Sequence, residues 1–386
     1  MFLDRLLETN RSLAELALVW QRDGVVLPNT YVIDFDAICE NARTIKAVGD
    51  REGVKLYFML KQLGRNPLVG KALAEMGFDG AVCVDYQEAL VLSEAGVPLG
   101  NVGHLVQAPV AALGRILAAR PDIVTVYSVE KAEQVGGQAR RHGFTQPIML
   151  RIIDERDTLY PGQYGGFRLS ELDAAVNELE RIEGVRVAGV CSFPCFLFSE
   201  EKGDIVALHN VETVRAAART LERRGYSDLQ LNMPSATCAR SIPVAAAAGA
   251  THMEPGHGLT GTTPYHAAEP DAPERIAYVY VSEVSHNLDG HAYCYGGGHY
   301  RRGHVENALV GTSLVNARRM GVRPPSDECI DYHFELSDRA RVGDGVLMCF
   351  RAQMFVTRSE VAVVSGLSSS APRLEGIFDT LGHRLR

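Results

Sequence analysis

Apolar residues recur at helical spacing from residue 2 to residue 22, at Leu3, Leu6, Leu7, Leu13, Leu16 and Ala17, and Gly24 stops the pattern. One helix is predicted there, inside an N-terminal segment 1–28, followed by a strand over 29–33 and a second helix over 38–48. Beyond residue 54 a rhythm sets in. Short β-branched or apolar runs bounded by Gly, Asp or Pro alternate with helix-periodic stretches. The runs predict strands over 54–59, 80–84, 101–106, 123–126, 148–152, 185–191, 229–231 and 251–253. Between them helical stretches are predicted, among them 87–95, 110–119, 129–142, 169–180, 205–224 and 236–248, each long enough to cross back over a parallel sheet. Eight such units fit an α/β fold of the closed (β/α)₈ TIM-barrel type better than an open doubly wound sheet. We therefore assign 36–274 to a barrel.

After residue 275 the pattern changes to strands without intervening helices, over 277–284, 292–295, 342–350 and 355–364. A separate C-terminal β domain is predicted over 275–386, and the strand at 29–33, which has no partner in the barrel, is expected to join it. A chain of 386 residues is long enough for both bodies.

Charge narrows the partners. A formal net charge of −8 and the lack of a long Lys/Arg run argue against nucleic acid. The N-terminus interleaves charge with its apolar residues, and no uncharged apolar run approaches the length of a membrane span, so a soluble cytoplasmic protein with no membrane partner is expected. Eight cysteines, at 39, 83, 191, 195, 238, 294, 329 and 349, are scattered as in a reduced protein. Only Cys191 and Cys195 are close, and no second pair completes a zinc site, so no metal is expected.

In such a barrel the chemistry lies at the C-terminal ends of the strands. Lys61 directly follows the first apolar run, where partial burial lowers an ammonium pKa and favours capture of a carbonyl cofactor; a solvated loop lysine is the competing reading. At the end of the eighth strand stands Glu254, a carboxylate that needs a cation, either a protonated cofactor ring or an arginine. Residues 234–237 and 256–263 offer hydroxyls, small residues and backbone N–H groups suited to a phosphate, or to ordinary capping turns. The loop CysTyrGlyGlyGlyHisTyr (294–300) suits either a close backbone approach at a site or a glycine-rich hairpin. His299 and His304 lack a metal-ligand pattern and read as interface or surface residues.

Taken together, KQLGRNP (61–67), CSFPCF (191–196), NMPSATC (232–238) and MEPGHG (253–258) resemble the alanine racemase-like, fold-type III enzymes that depend on pyridoxal 5'-phosphate, over nearly the whole chain. Within them the pattern is similar to the YhfX type of amino-acid racemase. The resemblance implies that Lys61 holds the cofactor as a Schiff base and is an acid/base, while Ser235, Thr237, Gly256 and His257 hold its phosphate. It further implies a homodimer acting on a small-molecule amino acid, in which Tyr295 of a second copy faces the lysine; the loop is one residue longer than in alanine racemases, which leaves Tyr300 as the substitute. Arg65, Arg151, Tyr164 and Arg351 are candidates for the substrate carboxylate, with structural clamps as the competing reading for the arginines.

Two departures bear on the chemistry. Alanine racemases carry Arg where this chain has Glu254, the residue of the related basic-amino-acid decarboxylases, and His where it has Phe193, an apolar stacking surface. A ring kept protonated is a stronger electron sink. Racemisation or epimerisation at Cα through a quinonoid carbanion is the leading expectation, with Lys61 and Tyr295 as the two bases. A lyase or aldolase on a β-hydroxy amino acid is the alternative, a decarboxylase is third, and a non-catalytic cofactor-binding protein is the reading from another class.

Overall fold

Apolar runs of four to eight residues separated by crossover helices form parallel strands, and the computed structural model, which describes residues 1–326 and 328–386, bears this out. The chain divides into two compact units: Arg43–Leu60 with Pro67–Gly258, and Met1–Ala42 with Lys61–Asn66 and Leu259–Arg386.

In the first unit eight strands, Lys55–Phe58, Gly80–Cys83, Leu99–Val102, Ile123–Val126, Gln146–Ile153, Val185–Cys191, Gln230–Asn232 and His252–Met253, pair in chain order. The eighth returns to the first through His252↔Lys55 and Met253↔Leu56, which closes the barrel. Tyr57, Met59, Val82, Ile123, Met149, Ala188 and Cys191 fill its interior. At the ends where the fourth and seventh strands begin, the Tyr57 hydroxyl donates to Asp122 and to Gln230, and His252 stacks on the Tyr57 ring at 5.3 Å.

That buried imidazole has a consequence for stability. Burial holds His252 down at about 4, with the Lys55 ammonium pushing the same way. The unfolded chain therefore takes up this proton first as pH falls, and the fold loses stability from pH 6.5 downward to about 4. The loss amounts to about 3 kcal/mol over that window. Urea denaturation across the window should show this slope in the native protein and a shallower one in His252→Gln.

Three expected helices differ. Residues 2–22 form two, Phe2–Thr9 and Arg11–Arg22, because Asn10 leaves the helical backbone and buries its amide against Asp34 Oδ2 (2.8 Å) and the Ile276 carbonyl (2.9 Å). Of 236–248 only Ile242–Ala247 is helical, since Ser235 and Ala236 take positive φ, +96° and +50°. The segment 205–224 opens as a strand, Asp204–Ala207, hairpinned to Phe196–Ser199 before the helix His209–Arg223.

The second unit is a largely antiparallel nine-stranded sheet. Thr30–Asp34 lies within it, antiparallel to Tyr278–Leu288 and parallel to Glu360–Ser365. Tyr278–Leu288 also pairs with His291–Tyr295 and Gly345–Met348, so part of the sheet closes on itself. Asn307–Gly311, Arg318–Arg323, His333–Leu336 and Arg373–Asp379 are strands that the apolar pattern did not predict. Leu3, Leu6, Leu13 and Leu18 of the N-terminal helices pack with Val279, Val281, Leu347 and Ile377 of the sheet. Among the described residues no helix is long and apolar enough to cross a membrane.

Candidate active site

A polar side chain facing into a barrel must find partners or lose the free energy of its hydration. At the C-terminal ends of the barrel strands several such side chains converge on Glu254, whose carboxylate is 1% exposed. Its Oε1 accepts from Asn232 Nδ2 at 2.7 Å and Asn101 Nδ2 at 3.2 Å. Thr125 Oγ1 donates to Asn101 Oδ1 at 2.7 Å, which turns the Asn101 NH₂ toward the carboxylate. His104 Nε2 stands 3.6 Å from the other oxygen, Oε2. Two amide donors thus hold one buried negative charge at the mouth of the barrel, with the His104 imidazole close beside its second oxygen.

The turn after the seventh strand lies beside the one after the eighth. A Cβ on Gly258 would stand 2.3 Å from the Thr237 carbonyl oxygen, so only glycine permits this approach of MEPGHG to NMPSATC. The left-handed backbone at Ser235 and Ala236 folds the turn sharply. Thr237 is buried, and its Oγ1 has no hydrogen-bond partner among the described residues. An orphaned buried hydroxyl costs about 1–3 kcal/mol, which an oxyanion at this turn would recover. Gly256 and His257, which directly precede Gly258 in the chain, are buried as well. The residues present fit a phosphate group.

Phe193 is half-buried, 5.5 Å edge-on from His104 and 5.7 Å from the Tyr160 ring. Arg151, fully buried, donates to the Tyr127 hydroxyl (2.7 Å), the His104 carbonyl (3.3 Å) and the Gln163 carbonyl (2.9 Å), the pattern of a clamp on the barrel wall. Tyr164 is 69% exposed.

In the other unit, Lys61 is half-buried and opens the tight turn Lys61–Leu63. Gly64 and Arg65 follow with positive φ, and the buried Arg65 guanidinium lies 5.3 Å from the Phe355 ring. Arg351 is half-buried, as is Tyr300, and Tyr295 is 41% exposed. The glycine loop is pressed onto the sheet: Tyr31 donates to the Gly298 carbonyl at 2.6 Å, and a Cβ there would meet the Tyr280 ring at 2.2 Å. Ser282 Oγ ties down the Tyr295 carbonyl at 2.7 Å. The His299 amide bonds Asp331, and His304 is exposed.

Asn101, His104, Thr125 and Asn232 were not singled out from the sequence. Their signal was a polar residue at or just past the end of a short apolar strand, visible once the strands are known to face a common interior.

The family model for the alanine racemase N-terminal domain matches residues 33–264, and the YhfX-like C-terminal domain model matches 279–374. The chain belongs to the alanine racemase-like family of fold-type III enzymes, whose cofactor is pyridoxal 5'-phosphate. More narrowly, it is 40% identical over 386 residues, 100% of both chains, to the uncharacterized protein YhfX of Escherichia coli (strain K12). Its fold is similar to D-threonine aldolase from Filomicrobium marinum, with a TM-score of 0.68 at 15% identity over 92% of this chain and 94% of that one. Alanine racemase of Clostridium difficile 630 in complex with cycloserine gives 0.64 at 16% over 92% and 99%.

Proposed function

We propose that this protein is an amino-acid racemase or epimerase that removes and returns the proton at Cα. The observation that supports chemistry through an electron pair left at Cα is the buried Glu254 carboxylate, fixed by Asn101 and Asn232 beside His104. When bound, the cofactor supplies an electron sink for the pair left at Cα, and a protonated ring nitrogen strengthens that sink. Glu254 would hold the positive charge at that nitrogen. Ser235, Thr237, Gly256 and His257 would hold the phosphate, and Phe193 would shield the ring from water. The ε-amine of Lys61 would hold the cofactor and move the Cα proton on one face. Tyr295, exposed on its own unit, moves the proton on the other face in the site of a second copy, so the working unit is a homodimer. Arg65, Arg351 and Tyr164 are the candidates for the substrate carboxylate, since Arg151 spends three hydrogen bonds on its surroundings.

Solvent-deuterium exchange at Cα, followed by NMR on a panel of D- and L-amino acids, tests this. Both enantiomers of the true substrate should exchange, and Tyr295→Phe should slow one of them by roughly 10²-fold or more, the contribution of a positioned acid/base. Exchange confined to one enantiomer and indifferent to Tyr295→Phe would favour a lyase on a β-hydroxy amino acid, the chemistry that the name of the Filomicrobium enzyme describes.

A further inference from the structure

His104 has no part in binding or proton transfer as given so far, yet it is buried within the barrel with both ring nitrogens facing titratable groups. It follows the third strand by two residues. Gly103 makes the turn at φ +93°, where a Cβ would lie 2.5 Å from the Thr125 carbonyl oxygen. Nδ1 lies 3.7 Å from Cys191 Sγ, and Nε2 lies 3.6 Å from Glu254 Oε2. The backbone is fixed as well, because the His104 carbonyl accepts from Tyr127 (2.5 Å) and Arg151 (3.3 Å). The titratable and charged groups facing it are therefore Glu254, Cys191, Tyr127 and Arg151.

Burial pushes the Cys191 thiol up to about 12, so at neutral pH it carries a proton that it can donate to an unprotonated Nδ1. In that tautomer the ring proton sits on Nε2, facing the carboxylate.

We infer that His104 is a positioning residue that directs Nε2–H at Glu254 Oε2, 3.6 Å away, and thereby keeps the proton shared by Glu254 and the cofactor on the ring nitrogen. The inference rests on the reading of Glu254 as the partner of that nitrogen. A carboxylate faced by more N–H groups is a weaker base; two amides donate to Oε1, and the His104 ring nitrogen faces Oε2. Removing it makes Glu254 more basic and draws the proton away from the ring.

The test uses the holoprotein loaded with pyridoxal phosphate isotopically labelled at the ring nitrogen, whose NMR shift reports protonation directly. In His104→Leu the equilibrium between the two proton positions should move toward Glu254 by about tenfold, the worth of one N–H dipole aimed at a buried charge. His104→Gln, which keeps an N–H donor, should restore most of the native shift. If the leucine variant does not fold, Cys191→Ala carries the test, because it releases the tautomer and should move the shift in the same direction. An unchanged nitrogen shift in a variant that binds the cofactor overturns the role of His104 and leaves Glu254 standing. A native protein whose ring nitrogen is unprotonated, or that binds no cofactor, overturns the reading of Glu254 and this inference with it.

Discussion

Lys61→Ala is expected to abolish covalent attachment of the cofactor and to lower turnover by roughly 10³- to 10⁴-fold, because in the proposed function one amine both holds the cofactor and moves the proton at Cα. Binding of the cofactor should fall far less, since the turn at Ser235 and Thr237 proposed to hold the phosphate and the carboxylate of Glu254 are untouched. The two losses are separable. Borohydride reduction followed by mass spectrometry of the digest should find the adduct on Lys61 in the native protein and nowhere in the variant, while cofactor released on denaturation is still found in both. Lys61→Arg should not rescue, because a guanidinium stays protonated and cannot attack a carbonyl. A half-buried position in a short turn tolerates alanine, so the melting temperature should change little. An adduct on another lysine, or turnover that survives the change, would defeat the assignment.

Much of this was legible in the chain, for a local reason. The strands Ile123–Val126 and Val185–Cys191 coincide with their apolar runs residue for residue, because a buried parallel strand is apolar on both faces. Where the run misled, a partner distant in sequence decided the outcome. The third strand was expected over 101–106 but ends at Val102, since Gly103 turns the chain inward against Thr125. The N-terminal helix breaks at Asn10 because its amide pairs with Asp34 and the carbonyl of Ile276, 266 positions away. Arg318–Arg323 buries only Met320, so its strand character comes from its neighbours in the sheet. Lys61 and Glu254 were visible as charged groups at strand ends; the donors around Glu254 were not. Asn101 meets it across 153 positions, and a single polar residue in an apolar run announces nothing until the ring closes.

Glu254→Gln is expected to lower Cα exchange by roughly 10²-fold, the worth of one preorganised charge at the electron sink, with the fold intact. The reasoning follows from the donors already present. Asn101 and Asn232 both direct NH₂ groups at Oε1, so the glutamine must present its oxygen to them and its own NH₂ to the opposite side. A donor there opposes a protonated ring nitrogen and reproduces the electronic situation of an alanine racemase, in which arginine stands at this point. Racemisation tolerates that situation; cleavage at Cβ and decarboxylation lean harder on a cationic ring. If the native reaction is racemisation, a residual rate should persist in both directions with similar loss for each enantiomer. A collapse of all activity, with cofactor content and melting temperature unchanged, would argue instead for a reaction that needs the stronger sink. Glu254→Ala is the poorer experiment, since it strands two buried amides at about 1–3 kcal/mol each and mixes stability with chemistry.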